Sequence, residues 1–430
     1  MTAFLSRLSH ITFHVPTGMG LVSDLVDKFR FHLFAERVTS RARQLALRKG
    51  AAVFLVNESD GEFLYDVSPL HPVSTASNVC FEVQDVPSVS QRLQERGCPL
   101  AIPPTNVTDS GGSVTYCVVR SVVGNISHTL LDCSRYRGAF LPGFRATGDV
   151  PEGPWDPAEA THFDHITYAC SRGSTRAVLD WYQHCFGFQR FIMNRQEDLA
   201  EGYRIHGHGV GLRLTAMRYG KGSEPRLVDD WKFVLAESLP EPGKNQVDTF
   251  LEQHGGAGIQ HVGLYTTDIV STAQALAQAG MQFVEPPKAY YSEPGKAEEI
   301  RAAGQDPCLL SQHGILLDAE LVGDGEGDGR GSRPRQRRYL MQIFTKPIFP
   351  EETFFLELIE RRGATGFGEG NIRALWKSVQ RQQGQFQEAG CKEPPKTAQG
   401  TGELCAAASG WIWGARDHQS PLPLRCQDHY

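Results

Sequence analysis

Long apolar runs are missing from this chain: none approaches the roughly 18 residues that span a bilayer. A secretory signal is missing as well, since the first apolar stretch, 8–15, is short and reads as a strand. There is no block of basic residues, and the net charge is −6. That excludes a surface built to follow phosphates, and with it a nucleic-acid partner. The ten cysteines are scattered and none forms a C-x-x-C pair, so the chain is expected to stay reduced inside a cell. In that setting the sequons at Asn57, Asn106 and Asn125 are chance matches. The first 23 residues carry Arg7 and no acid, a composition shared by short organellar presequences and by ordinary cytosolic starts.

What is present is an ordinary globular composition, 40% apolar and 21% charged over 430 residues, a length comfortable for two domains. The chain also repeats itself. Ser9-His10-Ile11-Thr12-Phe13 is similar to Asp164-His165-Ile166-Thr167-Tyr168, and an amphipathic helical stretch ending in aromatics follows each. Asn78-Val79-Cys80-Phe81 matches His261-Val262-Gly263-Leu264. Asp85 and Gly97 then match Asp268 and Gly280 at equal separations (97 − 85 = 280 − 268 = 12), the pattern of strand, acidic turn, helix and glycine stop. Thr129-Leu130-Leu131-Asp132 aligns with Phe354-Phe355-Leu356-Glu357. The fold class implied is α+β, with βαβββ modules used repeatedly and each sheet curling around a pocket, because one unit cannot cover its own apolar face. The first domain is placed at 7–147, a Gly/Pro linker at 148–160, the second domain at 161–382, and a disordered tail at 383–430. The low-complexity insert 323–338 reads as a flexible hairpin loop.

Two imidazoles and a carboxylate stand at matching places of the second half: His165, His261 and Glu357, spaced equally (261 − 165 = 357 − 261 = 96). Two histidines and one carboxylate on one face of a metal leave positions open, the donor set of non-haem Fe(II) that activates oxygen. The first half offers His10, Asn78 and Asp132 at the aligned positions. Neutral asparagine is a poor donor, so one metal site is expected, in the second half. Period-2 alternation puts Phe355, Glu357 and Ile359 on one face, and a carboxylate facing aromatics needs a metal or a charged partner. Arg361 or Arg362 could be that partner, although both lie at the strand end, where solvent is expected. His206 and His208 sit in a glycine-rich turn without a carboxylate ladder and are not taken as ligands. His162 is left unassigned.

Gln342 and Phe344 share a face of 340–346, and if that strand pairs with 353–360 they line a pocket beside the metal. The glycines of 366–371 suit a hinge, with Asn371 as the N-cap of a helix over 372–380 and Phe367 able to swing over the cavity.

The runs 255–261 (Gly-Gly-Ala-Gly-Ile-Gln-His), 340–347 (Leu-Met-Gln-Ile-Phe-Thr-Lys-Pro), 353–357, 366–371 (Gly-Phe-Gly-Glu-Gly-Asn) and 136–144 make the chain resemble the 4-hydroxyphenylpyruvate dioxygenase and hydroxymandelate synthase family, over about 7–382. The resemblance implies tandem vicinal oxygen chelate (glyoxalase-like) domains and one Fe(II) per chain, held by His165, His261 and Glu357, with no catalytic residue beyond these ligands. It also implies an aromatic 2-oxo acid and dioxygen as partners, and it leaves room for further copies of the chain. Its pocket residues correspond to Gln246, Gln260, Gln342, Phe344, Phe355, Phe367 and Asn371. Simple alternation turns Gln260 away from His261, so the place of Gln260 rests on resemblance alone. Leu214 and Ala236 stand where the dioxygenase has hydrogen-bonding groups, and Ile372 replaces a phenylalanine. Those departures resemble the dioxygenase-like branch, which is associated with mitochondria and ubiquinone headgroup synthesis, and they imply a changed substrate or pose. The expected reaction is benzylic hydroxylation of 4-hydroxyphenylpyruvate to 4-hydroxymandelate, with homogentisate formation and a non-catalytic scaffold as rivals. A ring-cleaving catechol dioxygenase would need an acid/base histidine for which the sequence offers no candidate.

Overall fold

A computed structural model describes residues 4–58, 63–70, 73–148, 161–193, 197–207, 210–220, 231–240, 244–320, 338–351 and 353–372. Most of the 148–160 linker, insert residues 323–337, His208, the side chain of His206 and the 383–430 tail lie outside the described residues.

Each half builds one curled sheet. At the centre of the first, Leu5–Val15 and Thr75–Val83 run antiparallel. Ala52–Glu58 lies parallel beside the former and Ser127–Asp132 parallel beside the latter. The second sheet repeats this plan. Phe163–Cys170 and Gly258–Tyr265 form its antiparallel centre, flanked in parallel by Trp231–Ser238 and Phe355–Arg362. Tyr339–Phe344 pairs antiparallel with Phe355–Arg362, setting Gln342 opposite Ile359 and Phe344 opposite Glu357, as the hairpin reading requires.

The acidic-turn pattern is present in three dimensions. Asp85 accepts from Ser88 N at the start of helix Val86–Glu95, and Asp268 accepts from Ser271 N at the start of Ile269–Gln278. Gly97 and Gly280 end those helices at φ +74 and +92, a conformation that side chains with a Cβ resist.

Alternation along the central strands sorts side chains between two environments. Ile11, Phe13, Ile166 and Tyr168 enter one apolar core shared by both halves. Phe13 meets Phe354 and Phe81 meets Trp231 across the halves, at 5.1 and 5.3 Å between ring centroids. A disulfide joins Cys98 to Cys185 across the same boundary, where a fully reduced chain was expected. The opposite faces carry His10, Thr12 and Asn78 in the first half and His165, Thr167 and His261 in the second, beside smaller apolar clusters of their own.

The register corrects one alignment. His10 faces Cys80 and His165 faces Gly263, so Cys80 and Gly263 are equivalent. Gly263 faces Glu357, whereas the pairing of Asn78 with Ser127 and of Phe81 with Leu130 sets Thr129 beside Cys80. Thr129, not Asp132, is therefore the counterpart of Glu357. Asp132 lies at the strand end, accepting from the backbone of Ser134 and Asp85.

Candidate metal centre

His165 and His261 stand on neighbouring antiparallel strands, and Glu357 comes from the strand beyond His261. One ligand atom from each lies within 4.8 Å of the other two. His165 Nε2 is 3.4 Å from His261 Nε2 and 3.2 Å from Glu357 Oε2, and His261 Nε2 is 3.5 Å from that oxygen. His165 and Glu357 are buried, at 3% and 2% exposure. Glu357 Oε1 and His261 Nδ1 have no hydrogen-bond partner.

The charge balance of this cluster calls for a cation. Burial opposes charge on His165, yet the Glu357 carboxylate and the Asp164 hydrogen bond outweigh it and push His165 up to about 9. Burial, with His165 second, drives His261 well below its ordinary value. Three converging lone pairs around a site that otherwise recruits a proton fit a divalent metal held on one face. The rival for Glu357, a salt bridge to Arg361 or Arg362, is not formed. Arg361 is buried on Asp164, at 2.6 and 2.7 Å, and Arg362 pairs with Glu360.

Beside the donors opens a cleft of roughly 720 Å3 including its mouth and the solvent there. Gln246, Gln260, Gln342 and Asn371 line it, as do Phe344, Phe355 and Phe367. Leu214 and Ala236 form an aliphatic wall with Leu212, Val234 and Ile372. Gln260 shares the cleft with His261, against simple alternation. Thr167 pairs with His261 and Tyr168 with Ile259, so Gln260 is the extra residue of a β-bulge, which turns two successive side chains to one side. Nothing in the sequence marks that bulge.

The glycine-rich segment also departs from the hinge reading. Its helix begins at Glu369, before Asn371, and 373–380 lie outside the described residues. Asn371 is fully buried and its Oδ1 accepts from Tyr290 Oη at 2.7 Å, so it is not a cap. A Cβ on Gly368 would collide with the Gln342 amide, and one on Gly370 with the Asp318 carboxylate. Close packing is what these glycines permit. Phe367 is seated in the wall, edge-on to His165 at 5.1 Å between ring centroids. His162 stacks on Tyr265, 4.5 Å between ring centroids.

In the first half the same place is filled from within. Asn78 donates to Asp66 Oδ1 at 2.6 Å and to Thr129 Oγ1 at 2.8 Å, and His14 Nε2 meets Asp66 Oδ2 at 2.8 Å. His10 is fully buried, and burial lowers it to about 4. This half has no second imidazole and no carboxylate at the matching positions.

Residues 162–307 match the model of the Glyoxalase/Bleomycin resistance protein/Dioxygenase superfamily. The chain is 46% identical over 397 residues to a 4-hydroxyphenylpyruvate dioxygenase-like protein of Mus musculus, covering 90% of this chain and 100% of that one. The Homo sapiens protein of that description is also 46% identical, over 396 residues, with the same coverages. A 4-hydroxyphenylpyruvate dioxygenase of Pyricularia oryzae is 29% identical, covering 71% of this chain and 68% of its own. Among solved structures, a triple mutant of 4-hydroxymandelate synthase from Streptomyces coelicolor superposes with a TM-score of 0.67 at 24% identity, covering 88% of this chain and 99% of that one. The fold is thus the tandem vicinal oxygen chelate arrangement.

Proposed function

This chain belongs to the family of 4-hydroxyphenylpyruvate dioxygenase-like proteins, and from that membership we propose that it is an iron-dependent dioxygenase turning 4-hydroxyphenylpyruvate and dioxygen into 4-hydroxymandelate and carbon dioxide. The observation that carries the reading is the open side of the triad: three donors converge from one face, and the cleft beyond them suits an aromatic acid. His165, His261 and Glu357 would hold one Fe(II) per chain, which would supply oxygen activation and Lewis acidity towards a 2-oxo acid.

The chain's own side chains do the positioning. Phe344, Phe355 and Phe367 shield the donors from water, with the Phe355 ring 4.4 Å from that of His261. Gln342 Oε1 and Asn371 Nδ2 are buried without partners, so an acceptor and a donor await a polar substrate group. Leu214 and Ala236 offer neither. The ring is then unpinned on that wall, and the benzylic carbon beside the keto acid stays nearest the donors. We further propose that the reaction belongs in mitochondria, ahead of ubiquinone headgroup synthesis, a reading supported by the resemblance to the dioxygenase-like branch alone.

The test is oxygen uptake by purified, Fe(II)-loaded protein given 4-hydroxyphenylpyruvate, with products read by mass spectrometry. 4-Hydroxymandelate is the expected product. Homogentisate alone would overturn the regiochemistry, and iron-loaded protein that consumes no oxygen would overturn the activity.

A further inference from the structure

The carboxylate facing His165 is itself held from behind. Asp164 is the extra residue of a second bulge, where Phe163 pairs with Leu264 and His165 with Gly263. Asp164 and His165 therefore lie on the same side of the strand, and Asp164 Oδ1 meets His165 Nδ1 at 2.9 Å. Arg361 grips that carboxylate with two parallel bonds, Nε to Oδ2 at 2.6 Å and Nη2 to Oδ1 at 2.7 Å, a fork-on-fork geometry that fixes orientation as well as distance. The remaining nitrogen, Nη1, donates to the carbonyls of Gly366 and Ala364 at 2.6 and 3.3 Å. The guanidinium lies over the Phe367 ring, 5.7 Å from its centroid. Phe367 in turn stands edge-on to His165, so the contacts close into a ring of four residues.

The first half supplies an internal control. It has the same bulge, with Ser9 Oγ 3.1 Å from His10 Nδ1, and the same aromatic seat, with Phe140 edge-on to His10 at 5.3 Å. Counting four residues on from Thr129, as Arg361 lies four on from Glu357, gives Cys133. Bulge and aromatic thus occur in both halves, while the Asp–Arg pair occurs only beside the complete donor set.

We propose that Arg361 is a positioning residue that couples the metal ligand His165 to the seating of the loop carrying Phe367. Loading the metal and keeping this loop in its seat then favour each other, by one factor read from either side. Through Asp164, Arg361 holds the His165 ring with Nε2 towards the metal, the role of an outer carboxylate on a ligating histidine. Through the Gly366 and Ala364 carbonyls it holds the loop. The proposal rests on the metal reading given above.

The test uses Co(II), whose absorption reports the ligand field, together with hydrogen exchange of the 364–367 amides. In the parent protein, cobalt should slow exchange at 364–367. Arg361→Gln should weaken cobalt binding by roughly 10- to 100-fold, shift the cobalt spectrum and leave 364–367 unresponsive to metal. Arg361→Lys, which keeps the charge and loses the fork, should fall between. Because Arg361→Gln strands a buried carboxylate, the pair Asp164→Ser with Arg361→Cys, copied from the first half, removes both charges and should give the same two losses in folded protein. Cobalt affinity within twofold of the parent in that folded pair, or a 364–367 response that persists, overturns the coupling. A parent protein that takes up no cobalt overturns the metal reading as well.

Discussion

A single absent methyl group decides where His165 can stand. A Cβ on Gly263 would lie 2.6 Å from both Cε1 and Nδ1 of that ring, and Gly263 is the residue paired with it across the sheet. Gly263→Ala should therefore leave the fold intact, push the imidazole off its mark and weaken metal binding by at least tenfold, a loss readable by titration calorimetry; unchanged affinity would refute this. At this scale the three donors were legible, because two imidazoles and an inward-facing carboxylate on three apolar strands have few other uses, although the repeat matched Glu357 to Asp132 where the register matches it to Thr129. Asp164 was not. Its neighbour in sequence is the ligand, and only the bulge lets adjacent side chains point the same way. Arg361 was read as strand-end and solvent-facing, but the loop after it folds back over the strand and buries it against Asp164 and Phe367.

The elements carry a pH response of their own. Strand Leu316–Ala319 brings Asp318 beneath the start of the last helix, where it accepts from Gly370 N at 2.9 Å. Burial, with the Glu369 carboxylate second, pushes Asp318 up to about 7. The folded chain thus holds a proton that the unfolded chain releases near 3.8, so this group's stabilisation is complete below that value and is lost as pH rises through about 7. Asp318→Asn has no proton to lose. It should match the parent near pH 4 and exceed it above pH 7, on the order of 2 kcal/mol given the group's partial exposure. Melting curves across that range check it, and a difference that stays flat with pH would count against it. Strand and helix identities were legible from alternation and from the Asp85 and Asp268 turns. The last helix begins earlier than its asparagine suggested, because Asn371 is engaged by the Tyr290 hydroxyl rather than by the backbone.

On the scale of the whole molecule, the duplication was readable because the same residue types recur in the same order. How the halves meet was not, since both pack their apolar faces into one core, and periodicity names a face without naming its partner. The disulfide belongs to that meeting. Cys98 and Cys185 are 87 residues apart, and closing a loop of that length restricts the unfolded chain enough to contribute roughly 4 kcal/mol. Replacing both with serine should lower stability by that order in a denaturant titration while leaving metal affinity alone; a loss under about 1 kcal/mol would show that the shared core suffices. The bulged strands reach further, into how such a chain can change over generations. Each half carries one residue too many at the same two points, beside its first histidine and, on the neighbouring strand, beside Asn78 in the first half and His261 in the second. Letters in the cleft can be exchanged one for another, but a single insertion or deletion there would rotate the rest of the strand onto its other face and dismantle the centre at a stroke. Descent along these stretches has to be written in substitutions, without gaps.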